Sequence, residues 1–349
     1  MKAARLYGPN DIRIMDVETP KPGPHDLLCR VVRAGICGTD YSIYAGEFSG
    51  VKDGSVKFPM TPGHEWSGVV EGPGSAAAGF KAGDRVVGDT GISCGACYEC
   101  LVGQYSRCSK GRSVGTVNAV DGAWAEYILM PVRHVFHIPD SVSFDNGALV
   151  EPAATALFTV TQAGVGPGDA VLVLGSGAIG IAAAKLAKLS GAARVVVVGR
   201  KPFKLRVALR LGADGVINTT ETSLQEGVID RFGGWEVDRV VEASGSIDLL
   251  KAALDIVRVG GSVATVAFYD GKMDGLDIDR VVLRGITIKG VSGSLGMYRP
   301  ILRLMDSDML DLTPLITARL SLGDIPAALS QRKQTARRIK SMVNVSPQP

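Results

Sequence analysis

The chain has 349 residues, 46% of them hydrophobic, and a net charge of +3, enough apolar material for two domains that bury their own cores without crosslinks. The mild charge, with no basic run interleaved with aromatics, argues against a nucleic-acid partner. No stretch reaches the roughly 18 unbroken apolar residues of a membrane span, and MKAARLYGPN has no apolar run behind its basic residues, so the expectation is a soluble cytoplasmic protein.

In chain order, residues 1 to about 150 read as short strands, LLCRVVRAG, WSGVVEG, DRVVGD and AEYIL, broken by turn clusters such as KPGPHD and KAGDR. That half is expected to be a compact, mostly β domain. From Asp169 the pattern becomes AVLVLGSG, RVVVVGR, GVIN, VDRVVEASG, GSVATVAF and ITIKGVSG, separated by helix-length amphipathic segments. Fully apolar strands are buried on both faces, which predicts an α/β domain with a six-stranded parallel sheet covered by helices. After about Ser294, MYRPILRLMDSDML reads as a helix, and LITARLSLGDIPAALSQRKQ is expected to pack back on the first domain.

The stretch Gly175-Ser176-Gly177-Ala178-Ile179-Gly180 leaves the first apolar strand and opens the first helix, the context a dinucleotide-binding loop requires. The first glycine serves the tight turn and the second lets a pyrophosphate approach. The third allows close packing of helix on strand. An NAD-binding fold places an acidic residue roughly 20 positions further on, for the ribose 2′-hydroxyl. Here Gly199 stands there, followed by Arg200, Lys201 and, one turn on, Lys204. Cations that can converge on a 2′-phosphate favour NADP(H) over NAD(H).

Four of the six cysteines, Cys94, Cys97, Cys100 and Cys108, are spaced C-x2-C-x2-C-x7-C. In a reducing compartment clustered thiols are more often ligands than crosslinks. Four thiolates fill a tetrahedral zinc and leave no place for water or substrate, so this zinc is expected to be structural; a redox C-x-x-C or an iron–sulfur cluster are the competing readings. A second set is dispersed: Cys37 with Thr39 and Asp40 in one turn, His64 beside Glu65, and Glu151 at the junction of the halves. A catalytic zinc wants about three ligands from Cys, His and carboxylate. Taken singly, each residue reads better as a buried thiol, a packed histidine or a surface charge.

GICGTD, PGHEWSG, the four-cysteine stretch, EPAATA and GSGAIG, in this order and at these distances, resemble the zinc-containing medium-chain dehydrogenase/reductase family over essentially the whole chain. Glutamate at position 151 is similar to the polyol (sorbitol-type) and threonine dehydrogenase branches. The resemblance implies a GroES-like catalytic domain, residues 1–152 completed by 294–349, around a Rossmann domain of residues 153–293, with the active site between them. It implies two zinc ions. Cys37 and His64 would ligate the catalytic one, and Glu65 and Glu151 would share its carboxylate role. Asp40 would fix the tautomer of His64, and Thr39 would pass the substrate proton outward, with Ser42 standing where relatives often carry the next histidine of the relay. The implied activity is interconversion of a secondary alcohol and its ketone with hydride transfer to a nicotinamide. The favoured substrate is a polyol, sugar or cyclitol, with an amino alcohol such as threonine second. A homodimer or homotetramer is expected.

A zinc-free reductase of the same overall family would lack Cys37, His64 and the four cysteines, and a non-catalytic dinucleotide module would not need Thr39 and Asp40 beside open-site ligands. Cys29, His25, His134 and His137 read as structural. Tyr41, Tyr44 and Phe48 read either as lining a substrate pocket or as packing.

Overall fold

A computed structural model describes residues 1–349 other than 119, 270, 295, 332–336 and 349. It divides into two compact units, Met1–Glu151 with Tyr298–Pro349, and Pro152–Met297. In the first, β1 (Lys2–Gly8) and β2 (Asp11–Asp16) form an antiparallel hairpin. The main sheet is built on β3 (Asp26–Ile36), β4 (Trp66–Pro73) and β5 (Arg85–Gly88). A short ribbon, β6 (Gly91–Ile92) with β7 (Arg112–Ser113), frames the cysteine stretch. β8 (Tyr127–Pro131) pairs with β3, and β9 (Val135–His137) pairs with β5. Side chains of Leu27, Val31, Trp66, Val86, Trp124 and Met130 interdigitate in the core, and tight burial of such aromatic and aliphatic surface is the main stabilising term. Cys29 belongs to this core, where burial pushes its thiol up to about 12; it behaves as a small hydrophobe.

The second unit contains β10 (Ala170–Leu174), β11 (Arg194–Gly199), β12 (Gly215–Asn218), β13 (Val237–Glu242), β14 (Val257–Thr265) and β15 (Thr287–Gly290). They pair in parallel in the order β12-β11-β10-β13-β14-β15. Every residue of AVLVL in β10 is buried, as two-face coverage by helices requires. The six-stranded parallel sheet expected from the apolar runs is present.

After the helix Tyr298–Asp306 the chain forms β16 (Ile316–Ser321), the helix Ile325–Ser330 and β17 (Lys340–Asn344). β17 joins the first unit's sheet antiparallel to β3, with Ser341 opposite Ile36 and Met342 opposite Gly35. The C-terminal stretch therefore packs on the first unit; its residues 332–334 lie outside the described residues. Among the described residues no helix is long and apolar enough to cross a membrane.

Candidate metal and cofactor sites

Two separate segments bring Cys37 together with His64 and Glu65, with one ligand atom of each within 4.8 Å of the others. Cys37 follows the end of β3 and caps the helix Gly38–Tyr44, while His64 and Glu65 immediately precede β4. The neighbouring backbone is shaped for this. At Gly35 an added Cβ would lie 2.0 Å from Glu65 Oε2, so only glycine lets that carboxylate pass across β3. Asp40 is buried and its Oδ2 accepts from the Cys37 N–H at 2.7 Å. Its Oδ1 lies 3.4 Å from His64 Nδ1, yet neither atom has an aligned hydrogen-bond partner. Burial works against a charged imidazole, but the Asp40 carboxylate and the Cys37 thiol outweigh it and raise His64 well above its ordinary value. This pocket favours positive charge. One thiol, one imidazole and one carboxylate fit a zinc ion with a fourth position open, and the orphaned buried Asp40–His64 pair fits an imidazole held through Nε2 by an ion.

Lys340, which the sequence analysis passed over, completes the pocket. Its ammonium, 3% exposed, lies 2.5 and 2.7 Å from the two oxygens of Glu65 and 3.3 Å from the Ile36 carbonyl. Burial alone would discharge it; the Glu65 carboxylate, and then the Cys37 sulfur, hold it charged above its ordinary range. Nothing local marks Lys340 in the sequence, because its partner is 275 positions away and only the β17–β3 pairing joins them.

Glu151 stands outside the 4.8 Å set. Its Oε1 accepts from the Thr90 hydroxyl at 3.3 Å, and that hydroxyl also lies 3.3 Å from the His64 carbonyl. Burial, followed by the competing charges of His64 and Glu65, pushes Glu151 up to about 7. Thr39 is half-buried, with its hydroxyl 3.8 Å from the Cys37 sulfur. Tyr41, Tyr44 and Phe48 pack against the hydrophobic core.

The four sulfurs of Cys94, Cys97, Cys100 and Cys108 also converge within 4.8 Å, and none is in a disulfide. Sulfurs of Cys97 and Cys100 are 3.4 Å apart, and those of Cys94–Cys100 and Cys97–Cys108 are 3.9 Å apart. A tetrahedron of thiolates about 2.3 Å from a central zinc has edges of about 3.8 Å. Backbone N–H groups of Ala96 and Cys97 point at Cys94, lowering its thiol to about 6, and the Cys94 N–H points at Cys108 at 3.3 Å. Burial, by contrast, raises Cys100 to about 11. The four-thiol arrangement fits a closed zinc site.

His134 anchors this stretch. Its Nε2 accepts the Ser93 N–H at 3.1 Å, one residue before Cys94, and Arg133 donates to the Ser93 carbonyl. Burial, reinforced by Arg133, pushes the imidazole down to about 4 from 6.5. Between those values the unfolded imidazole holds a proton that the folded one does not, so stability falls as pH drops from 6.5 towards 4, by about 2–3 kcal/mol. His134→Gln, which keeps an acceptor for Ser93, is expected to remove that part of the acid slope in urea unfolding at pH 7 and pH 4.5. Coincident slopes for wild type and variant would mean that the imidazole titrates normally. His25 and His137 are exposed, and His137 stacks on Phe80 with ring centroids 4.3 Å apart.

In the second unit, the glycine loop connects β10 to the helix Ala178–Leu189. Gly175 has φ +112°, and an added Cβ at Gly180 would meet the Gly175 carbonyl at 1.9 Å, whereas one at Gly177 would meet nothing within 4 Å. Left-handed turn, tight helix packing and open approach fall on the three glycines as a dinucleotide loop requires. Ala178 and Ile179 form the first turn of that helix, whose N–H groups suit a phosphate. At Gly199 an added Cβ would lie 2.3 Å from Ser176 Oγ, so no side chain, acidic or otherwise, fits without displacing the loop. Arg200 and Lys201 are exposed and Lys204 is half-buried; burial and then the charge of Lys201 lower Lys204.

Family models match both parts of the chain. Residues 23–140 match the alcohol dehydrogenase GroES-like domain, and residues 178–307 match the zinc-binding dehydrogenase domain. The chain belongs to the zinc-containing medium-chain dehydrogenase/reductase family. Within this family it is 34% identical over 325 residues to an L-threonine 3-dehydrogenase of Marinomonas sp. (strain MWYL1), covering 92% of this chain and 93% of that protein. A Sinorhizobium meliloti chain described as a zinc-binding dehydrogenase bound to NADP superposes with TM-score 0.92 at 31% identity, over 99% of both chains. The 2R,3R-butanediol dehydrogenase of Bacillus subtilis superposes with TM-score 0.88 at 27% identity, again over 99% of both. The protein is thus a zinc-type, nicotinamide-linked alcohol dehydrogenase in reaction class.

Proposed function

We propose that the protein oxidises the secondary hydroxyl of a threonine-type β-hydroxy amino acid, or reduces the corresponding ketone. The convergence of Cys37, His64 and Glu65 carries the reading, because three protein ligands and one open position are what alcohol activation needs. Substrate class rests on the L-threonine 3-dehydrogenase relatives, which support the amino-alcohol reading better than the polyol, sugar or cyclitol reading favoured from the sequence. A vicinal diol is the second reading, supported by the likeness to 2R,3R-butanediol dehydrogenase.

In this proposal Cys37, His64 and Glu65 hold the catalytic zinc, and Cys94, Cys97, Cys100 and Cys108 hold a structural one. The bound metal would supply Lewis-acid polarisation of the alcohol oxygen, and the nicotinamide would accept the hydride. Asp40 orients the His64 ring. Thr39 receives the substrate hydroxyl proton and relays it outward. Glu151, held by Thr90, places a second carboxylate beside this set.

Gly175, Gly177, Ala178, Ile179 and Gly180 form the pyrophosphate seat, and Gly199, Arg200, Lys201 and Lys204 receive a 2′-phosphate, which makes NADP(H) the preferred cofactor. Lys204, lowered first by burial and then by the charge of Lys201, would be relieved by an anion at this place. A homodimer is proposed through β15, the sheet edge, whose four residues are all exposed and follow the exposed Val282 and Leu283; an open edge of this kind pairs readily with its copy.

A kinetic screen of L-threonine, 2R,3R-butanediol and polyols with both cofactors tests the reading. L-Threonine with NADP+ is expected to give the highest kcat/KM, and Arg200→Ala to erode the NADP preference by about tenfold. A preference for NAD+ that is indifferent to Arg200→Ala would refute the 2′-phosphate site, and turnover of polyols alone would refute the amino-alcohol assignment.

A further inference from the structure

The last residue of β13, Glu242, is fully buried at 0% exposure. The hydrogen bonds it accepts come from hydroxyl and amide donors. One oxygen accepts the Ser244 N–H at 2.8 Å and the Ser244 hydroxyl; the other accepts the Tyr269 hydroxyl and lies 3.5 Å from the Thr265 hydroxyl. Tyr269 and Thr265 are themselves hydrogen-bonded. A buried carboxylate is costly unless donors replace its water, and this one has three, the Ser244 N–H, the Ser244 hydroxyl and the Tyr269 hydroxyl, with Thr265 beside them. Burial and then the hydrogen bond to Glu242 raise Tyr269 above its ordinary range, keeping the phenol protonated as a donor.

The position of this cluster matters. Glu242 is opposite Leu174, the last residue of β10, on one side and Thr265, the last of β14, on the other. From β10 the chain builds β11 and β12 to one side and then returns to place β13 on the other. In such sheets a dinucleotide lies across the crevice at the strand ends where the order reverses. The Gly175–Gly180 loop and the Gly199 end of β11 occupy the side that takes the adenosine half, so the loops after β13 and β14 lie on the side of the nicotinamide half. One buried carboxylate ties both: Ser244 is in the first loop and Tyr269 in the second. They also approach closely, since an added Cβ at Gly245 would lie 2.8 Å from the Phe268 carbonyl, and the first of them lies against the glycine loop, since an added Cβ at Gly175 would lie 2.8 Å from the Ala243 carbonyl.

The geometry points to Glu242, with Ser244, Thr265 and Tyr269, as a positioning cluster that holds the two loops receiving the nicotinamide half of the cofactor, without itself touching the cofactor. This rests on the nicotinamide-dinucleotide reading of the second unit. Two variants test it, Glu242→Gln, which keeps the shape of the carboxylate, and Tyr269→Phe, which keeps the ring and removes one donor.

Binding to each zinc-loaded protein would be measured by calorimetry for two ligands: the preferred dinucleotide, and the matching ADP-ribose or 2′-phospho-ADP-ribose, which lacks only the nicotinamide. Loss of charge-assisted hydrogen bonds is expected to raise the Kd of the whole dinucleotide by about tenfold, with the truncated ligand changed by less than about twofold. Equal weakening of both ligands would mean a general structural role and overturn the proposal, as would unchanged binding of both in Tyr269→Phe and Glu242→Gln. Failure of the wild-type protein to bind either ligand would remove the dinucleotide reading itself, and the positioning cluster with it.

Discussion

Exchange of His64 for alanine, or of Cys37 for serine, is expected to lower kcat by about a thousandfold or more while leaving the fold intact. Lewis-acid stabilisation of the reacting oxygen is worth several kcal/mol, and each 1.36 kcal/mol is about a factor of ten in rate. The open site lies at the edge of a core built from other residues, among them Leu27, Trp66 and Trp124, so unfolding free energy should move far less than activity. Cys97→Ser and Cys100→Ser should do the opposite. A closed four-thiolate zinc contributes folding energy outright, so these variants are expected to lose their structural zinc and unfold at markedly lower temperature. Metal analysis supplies the check: two zinc ions per wild-type chain, and one in either class of variant. A single zinc in the wild type, lost with Cys37→Ser, would disprove the structural assignment of the cysteine stretch.

Lys340→Met is expected to destabilise the metal-free protein by about 3–5 kcal/mol, because removing one partner of a buried pair leaves the other charge uncompensated. Glu65 is 1% exposed and has the ammonium on both oxygens. Pairing the change with Glu65→Gln should restore much of the loss, since the double variant buries no charge. Lys340→Arg should fall between, its planar guanidinium retaining the charge but not the compact fit. Denaturant unfolding of the wild type, the single variants Lys340→Met and Glu65→Gln, and the double variant gives the coupling energy directly. A cost below about 1 kcal/mol for Lys340→Met, the range of an exposed pair, would show that Lys340 does not neutralise Glu65. The same variant is expected to bind zinc with altered affinity, because Lys340 and a metal compete for the electrons of one carboxylate.

What was legible in the sequence follows from how locally each feature is encoded. The six parallel strands could be read from apolar runs because each strand, buried on both faces, carries its own signal. The glycine loop is six consecutive residues, and its strand-before, helix-after context is also local. Cys94, Cys97, Cys100 and Cys108 lie within fifteen positions, so a short loop suffices to gather them. The dispersed candidate ligands Cys37, His64 and Glu65 were separable from ordinary buried residues only through resemblance to a family, since nothing in their own surroundings marks them.

Tertiary structure alone decided the rest. The sequence left Glu65 and Glu151 as equal candidates, and pairing of β3 with β4 brings Glu65, not Glu151, within 4.8 Å of Cys37 and His64. Lys340 meets Glu65 only because the C-terminal strand returns to β3, and Tyr269 meets Glu242 across 27 positions only because β13 and β14 end side by side. Charge burial explains why such pairs escape a linear reading: a lysine or glutamate in a mixed stretch reads as a solvated surface residue until the fold removes its water, and only then must a partner be found.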